Sequence, residues 1–393
     1  MRILLVPMPA MAPTAGPFSR TQLLAGAFQA RGFSVALCAA EDVNYRPIPG
    51  VPNYFLSVPT PFGLPEAIGL HAFSFAEKLG LPGKKPVRSF EEVLNFTGAT
   101  AYSYFKKSVS EVRSAISAFQ PDLVYSEFNL SAIVAAKAEG KPVFASYSYP
   151  AQPSYAASPQ YARGVRRVLA ELHQPPVRSA LELFLRADVR IVPSIPELEP
   201  IDCENTYFVG PLKKVPEIPT AEQKNLILAY LGTGTVSKKQ LLNEIFQAFS
   251  GSGLEVYLAG IEPECLPCPN IHTDWKFNFT ALLPHAAVFL NHGGQNSIAD
   301  GLLYGVPQLI YPGKVFERQY NAESIVKNKA GIQLAENELT GEKIREAVGV
   351  LTLDNSFREN SERLGKLLTF PGGPDAVIGH MLDKIPGNTR KQA

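Results

Sequence analysis

The sequence predicts an α/β protein made of two successive parallel-sheet domains. Its 393 residues exceed the size at which one hydrophobic core stops growing. Short apolar runs alternate with amphipathic helical patterns, which is typical of parallel sheets covered by helices. The alternation stops at a proline-rich stretch near residue 215 and then restarts, so we expect two similar units rather than one large one.

The first half begins with a predicted buried strand, "RILLV" at 2–6. "SRTQLLAGAFQARGF" (19–33) then predicts a helix, with Ser19 and Gln22 as a capping box and Gly32 as its stop. "LSAIVAAKAEG" predicts another helix, between two of the later strands. Further strands are predicted at 34–38, 122–126, 142–146 and 189–193.

Two segments break this rhythm. Residues 44–110 and 147–162 are rich in proline, glycine and aromatic residues. They look like insertions on the scaffold, and such segments often shape a binding pocket. Ordinary aromatic packing beneath long loops remains the alternative.

The best linker lies within "VGPLKKVPEIPTAEQKN" (209–225), which combines prolines and mixed charge without periodicity. We therefore predict a first domain at 1–212, a linker at 213–223 and a second domain at 224–393. The last helix of the chain could instead pack back on the first domain.

Composition limits the partners and the location. The formal net charge of +1 gives no field that would favour nucleic acid. The chain lacks both a run of ~18 apolar residues that could span a bilayer and a signal-peptide pattern, so we expect a cytoplasmic protein. Cys265 and Cys268 form a lone CxxC among prolines, expected to be surface-loop thiols. No HxH, HExxH or DxD-like set is present near the site, and we predict no metal.

The most informative stretch is "FLNHGGQNSIADGLLYGVP" (289–307), where an apolar strand meets a helix. Gly293 and Gly294 have no Cβ, so backbone N–H groups there can approach an anion closely. The following helix would direct its positive end to the same place. His292, Asn296 and Ser297 add side-chain donors. The pattern favours a diphosphate site, although glycines also form purely structural turns.

"LLPHAAVFLNHGGQNSIADGLLYGVPQLIYP…ERQYNA" resembles the donor-binding signature of family 1 glycosyltransferases, which have the GT-B fold. "PDLVYSE", "VPSIPELEP" and "FVGPL" extend the resemblance over nearly the whole chain. It implies two Rossmann-like domains facing each other across a cleft. It also implies metal-free transfer of a sugar from a nucleoside diphosphate to a small-molecule acceptor, with inversion at the anomeric carbon.

The resemblance also implies roles for individual residues. His292 and Ser297 would bind the diphosphate beside the backbone of Gly293, Gly294, Gln295 and Asn296. Thr233 and Gly234 match a loop that meets the phosphates from the first turn of the second domain. Trp275 would stack on the nucleobase, with Asn278 reading its edge; a core tryptophan is the equal alternative.

Glu317 and Arg318 occupy the family's Asp/Glu-Gln position, which holds the sugar hydroxyls. Arg318 departs from the usual glutamine and can only donate hydrogen bonds. One hypothesis is an acidic sugar such as glucuronate. The favoured alternative is that Arg318 turns to solvent or pairs with an acid.

The family's catalytic histidine is missing. Its Gly-His pair aligns with Gly16-Pro17, which keeps the glycine, assigned to the donor site, but provides no base. Glu127 stands where the family has the partner aspartate. We hypothesise that Glu127 removes the acceptor proton itself, with its pKa raised by the apolar cleft. His71, in the aromatic segment, is the second candidate.

The sequence thus predicts an inverting glycosyltransferase that uses a UDP- or dTDP-sugar as co-substrate, needs no cofactor and glycosylates an apolar small molecule. A non-catalytic nucleotide-sugar-binding homologue is the first alternative, supported by the missing histidine. A sugar-nucleotide epimerase or hydrolase of the same fold is the second. The acceptor, the sugar, the nucleobase and the oligomeric state are not specified by the sequence.

Overall fold

The computed structural model describes residues 1–10, 16–64, 86–215, 225–232, 236–263 and 268–384. Two compact units emerge from its contacts. The first comprises Met1–Gly80, Ser89–Lys214 and Pro371–Ala393, and the second comprises Leu81–Arg88 and Val215–Phe370. The main division therefore falls inside the predicted linker, and both units are discontinuous in sequence.

In the first unit, the described residues form a seven-stranded parallel sheet in the order β3-β2-β1-β4-β5-β6-β7. Every residue of β1 after Arg2 is buried, as expected for strands with helices on both faces. The strands are β1 (Arg2–Pro7), β2 (Ser34–Ala39), β3 (Asn53–Phe55), β4 (Leu123–Glu127), β5 (Val143–Ser146), β6 (Val189–Val192) and β7 (Thr206–Phe208).

The helices of this unit mostly follow the predicted alternation. Pro17 begins α1 at a position where its missing N–H has no cost, so the predicted Ser19 capping box is wrong. Gly32 ends α1 with a φ of +76°, as predicted. The helices are α1 (Pro17–Ala30), α2 (Phe90–Phe96), α3 (Tyr102–Phe119), α4 (Leu130–Ala138), α5 (Pro153–Ala156) and α6 (Arg163–Glu171).

The expectation that residues 44–110 lie outside the core is wrong for their last part. α3 is an 18-residue helix that buries Phe105, Val109, Val112 and Ile116 at helical spacing. Its aromatic start, "YSYFKKS", belongs to the scaffold. Residues 147–162 form short 3₁₀ turns around α5.

The second unit repeats the plan with a six-stranded parallel sheet among the described residues, in the order β10-β9-β8-β11-β12-β13. Its strands are β8 (Leu226–Tyr230), β9 (Glu255–Ala259), β10 (Ile271–Asp274), β11 (Ala286–Asn291), β12 (Gln308–Ile310) and β13 (Gly331–Gln333). Its helices are α7 (Lys238–Phe249), α8 (Phe279–Leu282), α9 (Gln295–Leu303), α10 (Phe316–Lys327), α11 (Gly341–Leu353) and α12 (Ser356–Thr369). Cys268 packs into this core at 4% exposure, which corrects the expected surface thiol; Cys265 lies outside the described residues.

The final helix, α13 (Pro374–Lys384), belongs to the first unit. Val377, Ile378 and Met381 are buried in the same cluster as the residues of β1 and α1. The Gly373 N–H also donates to the Val209 carbonyl at 2.6 Å. Residues near both ends of the chain thus pack in the same hydrophobic core.

Both sheets reverse their strand order at a central pair, β1/β4 in the first and β8/β11 in the second. In open parallel sheets, ligands bind beyond the carboxyl ends of the strands at such switch points. The predicted site residues Glu127 and His292 directly end or follow β4 and β11. The fold therefore favours ligand-binding sites at the carboxyl ends of these two strand pairs.

Candidate functional site

The loops after β8 and β11 lie against each other at the second switch point. Tyr230 and Asn291 are register partners at the ends of these strands. Gly232 follows with a φ of +67°, and a Cβ there would lie 3.4 Å from Nδ1 of His292. Thr233 and Gly234 lie outside the described residues, so their assignment to the phosphates stays a prediction.

The turn His292–Gly294 requires both of its glycines, for different reasons. Gly293 has a φ of +79°, and a Cβ there would stand 2.8 Å from the Arg318 carbonyl oxygen. Gly294 has an ordinary backbone, but its Cβ would stand 2.6 Å from Nε2 of His292. The first glycine is needed for conformation and contact, and the second for space.

Buried amides fix this turn from behind. The Gly293 N–H donates to Oδ1 of Asn291 at 2.8 Å, and Nδ2 of Asn321 donates to the Gly293 carbonyl at 2.7 Å. Asn291 in turn donates to Gln308, whose amide donates to the Ile298 carbonyl at 3.0 Å. The sequence analysis did not assign Asn291 or Gln308; their signal was a polar residue at each of two fully buried strand positions.

Helix α9 starts immediately after the turn, with Gly294 as its N-cap. Because glycine has no side chain, the cap residue offers no side-chain acceptor to the first N–H groups of the helix. Ser297 is buried in the first turn, while Gln295 and Asn296 are partly exposed. The structure therefore brings the residues 292–297 together, as expected.

His292 is held as a neutral ring. Burial and, to a smaller extent, the positive charge of Arg318 lower the pKa of His292 to about 4, although a hydrogen bond with the Tyr230 backbone opposes them. The Tyr230 ring meets the imidazole edge-on, with the centroids 5.5 Å apart. Among the described residues, Nδ1 of His292 is buried without a hydrogen-bond partner. A bound anion would satisfy such a group and favour its protonation.

Glu317 and Arg318 lie in the first turn of α10. Glu317 is exposed, whereas Arg318 is half-buried. Burial lowers the pKa of Arg318, and the neighbouring Glu317 opposes that shift. Because the Arg318 charge depresses the pKa of His292, its guanidinium acts on the same turn that holds the histidine. The alternative that Arg318 simply faces solvent does not fit this burial.

Trp275 follows β10 at the same edge of the sheet and is 50% exposed. This exposure excludes the alternative of a core tryptophan. Nζ of Lys238 lies 3.8 Å from the centre of the indole ring, so one face already has a cation on it. Asn278 is exposed at the start of α8. Their contact with a nucleobase stays a prediction.

Glu127 ends β4 at the first switch point, where its carboxylate is 1% exposed. Oε1 accepts from Nε of Arg20 at 2.6 Å, and Oε2 accepts from the Ser146 hydroxyl, which also bonds to Tyr125. One oxygen is thus engaged in a buried ion pair and the other in a buried hydrogen bond. The prediction that Glu127 itself takes the acceptor proton does not fit this geometry, since a base must reach its substrate.

The other candidates of the first domain have different outcomes. Gly16 is the N-cap of α1, and its carbonyl accepts from the Arg20 N–H at 3.3 Å, so it contributes to placing Arg20. His71 lies outside the described residues. Arg20 was missed by the sequence analysis, because nothing local marks a residue whose partner lies 107 positions away.

An apolar recess adjoins this ion pair at the carboxyl ends of β1 and β4. It is lined chiefly by Met8, Pro9, Leu94, Tyr104, Phe105 and Phe128. Phe128 adopts a left-handed φ of 57°, a strained conformation often found at functional sites. Thr100 also lines the recess at 2% exposure, and among the described residues its hydroxyl has no hydrogen-bond partner. The recess thus offers apolar contact and one unused hydroxyl.

The described residues meet neither the requirements of a metal site nor those of a membrane-spanning helix. Within the described ranges, no group of three or more His, Cys, Asp or Glu side chains is arranged to hold a metal ion. In the same part of the chain, no helix combines the length and apolar character needed to cross a bilayer.

Residues 264–383 match the family described as "Erythromycin biosynthesis protein CIII-like, C-terminal domain". The aclacinomycin-T 2-deoxy-L-fucose transferase of Streptomyces galilaeus is 29% identical over 138 residues. That alignment covers 35% of this chain and 30% of the transferase, so the chain spans about a third of that relative's length.

Similarity to solved structures extends over almost the whole chain. The calicheamicin glycosyltransferase CalG4 superposes with a TM-score of 0.73 at 18% identity, covering 98% of this chain and 99% of that one. The spinosyn rhamnosyltransferase SpnG, complexed with thymidine diphosphate, gives 0.70 at 16% identity, with coverage of 97% and 100%. At these identities the structures show the fold, which is GT-B. Together the comparisons confirm the resemblance to family 1 glycosyltransferases.

Proposed function

We propose that this chain, a relative of the family 1 glycosyltransferases with their GT-B fold, transfers a sugar from a nucleoside diphosphate to a hydroxyl of an apolar small molecule. One observation supports the proposal most strongly. At the His292–Gly294 turn, an imidazole nitrogen without a partner among the described residues lies at the start of a helix that has no side-chain cap, next to the half-buried Arg318. A bound diphosphate would stabilise all three of these groups.

The donor's phosphates would be neutralised by protein groups rather than by a metal or cofactor. The positive end of α9 and the Arg318 guanidinium supply charge, and His292 gains a proton more readily once an anion is near. UDP and dTDP are both candidate nucleotides. The complex of SpnG with thymidine diphosphate supports including dTDP-sugars in the first donor panel.

The effect of Arg318 on His292 also influences which donor sugar we propose. Because the Arg318 cation acts on the His292–Gly294 turn, it is less available to a sugar carboxylate. An arginine at this position therefore does not require glucuronate as the donor sugar. Glu317 is exposed in the same helical turn and would accept hydrogen bonds from sugar hydroxyls. We propose a neutral sugar as the donor group.

The acceptor would enter the apolar recess of the first unit. Its lining favours a flat or aliphatic surface, and the Thr100 hydroxyl offers one hydrogen bond to an acceptor oxygen. Apolar contact would supply affinity, and this single hydroxyl would set orientation. A polar acceptor without apolar surface would bind poorly there.

We propose transfer by one displacement, which inverts the anomeric carbon. The acceptor oxygen attacks that carbon, a base removes the hydroxyl proton, and the nucleoside diphosphate leaves with the bonding electrons. His71 stays our candidate for the base. Glu127 would contribute indirectly, because its pairing fixes Arg20 at the edge of the acceptor recess.

Calorimetry with UDP and dTDP tests the donor assignment, followed by turnover of the corresponding sugars with a panel of phenols and macrolides. We expect saturable binding of at least one nucleotide and acceptor-dependent release of it. Absence of heat with both nucleotides would overturn the proposal. Binding without turnover favours the non-catalytic alternative, and release of nucleotide without acceptor favours the hydrolase.

A further inference from the structure

Helix α10, which carries Glu317 and Arg318, is capped by a distant segment of the chain. Its N-cap residue is Val315, which has no polar side chain for the first N–H groups. The Phe316 N–H instead donates to the Val87 carbonyl at 3.0 Å. In return, the Val87 N–H donates to the Lys314 carbonyl at 3.0 Å. The result is a parallel β-bridge between Val87 and Val315.

We call residues 86–88 the strap. By sequence position it falls in the predicted first domain, yet its contacts assign it to the second unit. The chain then enters α2, where Ser89 is the N-cap and accepts from the Glu92 N–H at 3.0 Å. The strap is therefore connected directly to an ordered helix and is not a free end.

Its connection to α2 is firmly fixed. Glu91 is fully buried, and its carboxylate accepts from the Ser158 N–H at 2.6 Å, the Ser179 hydroxyl at 2.7 Å and the Ala180 N–H at 2.7 Å. A buried carboxylate with three donors resists movement, because each lost bond would leave a charge or dipole unsatisfied. Glu91 thus holds α2 in place within the first unit.

The bridge constrains the part of the second unit that would meet the sugar. Lys314 and Phe316 flank the N-cap, so two backbone bonds set the direction in which α10 begins. Glu317 and Arg318 are the next two residues. The His292–Gly294 turn is held by Asn291 of β11 and by Asn321, further along α10. A change of direction at the helix start would therefore move the Glu317 and Arg318 side chains relative to this turn.

From this geometry we infer that the strap positions Glu317 for recognition of the donor's sugar. The inference rests on the proposed function. It assigns Val87 a positioning role that acts through its backbone, so the identity of its side chain should matter little. The phosphates would be held by the His292–Gly294 turn and the start of α9 as well as by Arg318, so they should depend on the strap less than the sugar does.

The test compares Val87→Pro, which removes the N–H donor, with Val87→Ala, which keeps it. Calorimetry would measure the dissociation constants of UDP and UDP-glucose, and of dTDP and dTDP-glucose. We expect Val87→Pro to weaken binding of the nucleotide sugar roughly five- to tenfold more than that of the nucleotide, as for a lost backbone hydrogen bond. Val87→Ala should match the wild type for both.

A second pair guards against unfolding of the proline variant. Phe316→Pro removes the other bond at the first position of α10, where proline is compatible with a helix, and Phe316→Ala keeps the N–H. Equal losses for nucleotide and nucleotide sugar, or no difference between the proline and alanine variants, would overturn the inference alone. A wild type that binds no nucleotide would overturn the proposed function and the inference with it.

Discussion

The two switch points carry polar groups in opposite states. At the first, the Glu127 carboxylate is 1% exposed and pairs with Arg20 at 2.6 Å. At the second, His292 is kept neutral and its Nδ1 has no partner among the described residues. Equivalent positions of the same type of sheet thus hold one satisfied charge and one ring nitrogen without a described partner.

The difference separates support from binding. A buried ion pair contributes mainly by being complete, since removing one partner leaves an uncompensated charge. A buried group without a partner lowers stability and is tolerated where a ligand completes it. Changes at the first switch point should therefore affect folding, and changes at the second should affect ligand binding.

The largest effect is expected for Glu127→Gln. It removes the carboxylate charge that pairs with the buried Arg20 guanidinium, which should lower the free energy of unfolding by about 3–5 kcal/mol. Urea denaturation measures it. The double variant Arg20→Met/Glu127→Gln should recover most of the loss. A single variant that loses less than ~1 kcal/mol would show that the pair is not the support described here.

Gly294→Ala should weaken nucleotide binding at least about tenfold with little loss of stability. Its backbone suits alanine, but the new Cβ would approach Nε2 of His292 to 2.6 Å and displace the ring. Gly349→Ala is the matched control, because among the described residues nothing lies within 4 Å of its Cβ position. Calorimetry with UDP and dTDP compares them. Equal affinities for the two variants would contradict the role of the turn.

His292 should make stability depend on pH. Its pKa is about 4 when folded and about 6.5 when unfolded, so the unfolded chain binds more protons between these values. Wild-type stability should therefore fall as the pH drops from 6.5 towards 4. Compared with His292→Gln, the extra loss should be about 1 kcal/mol after discounting for solvent. Parallel pH profiles for the two proteins would contradict the buried neutral ring.

The smallest effect is expected for Thr100→Val. The substitution removes a buried hydroxyl without a described partner, so the free energy of unfolding should change by less than ~1 kcal/mol. The KM for a phenolic acceptor should rise by a few fold, while the affinity for the nucleotide stays the same. Thr97→Val, which removes a hydroxyl that bonds to the Leu94 carbonyl at 3.2 Å, is the control. An unchanged KM would place the acceptor elsewhere.

The sequence predicted the scaffold and the conformation of the His292–Gly294 turn well, because both depend on local properties. Buried parallel strands are continuous apolar runs, and the predicted strand ends differ from the observed ones by about a residue. Gly293 and Gly294 could be recognised because a left-handed φ and a close approach each require glycine. Each of these constraints limits the residue type at a single position of the sequence.

What the sequence did not predict depends on contacts between distant positions. Arg20 and Glu127, and likewise Val87 and Phe316, pair across more than a hundred residues, and neither partner looks unusual in its local context. The error over α3 has a different cause. Its aromatic residues suggested an insertion, although Phe105, Val109 and Val112 already had the spacing of a buried helix face.

The return of α13 to the first unit has a practical consequence for engineering. The simplest exchange of amino-terminal halves between related proteins is one cut at the linker. Here such a cut would separate Val377, Ile378 and Met381 from the core that they fill, and leave apolar surface exposed on the new hybrid. A chimera should transplant the terminal helix together with the amino-terminal half, as a single unit made of two pieces of chain.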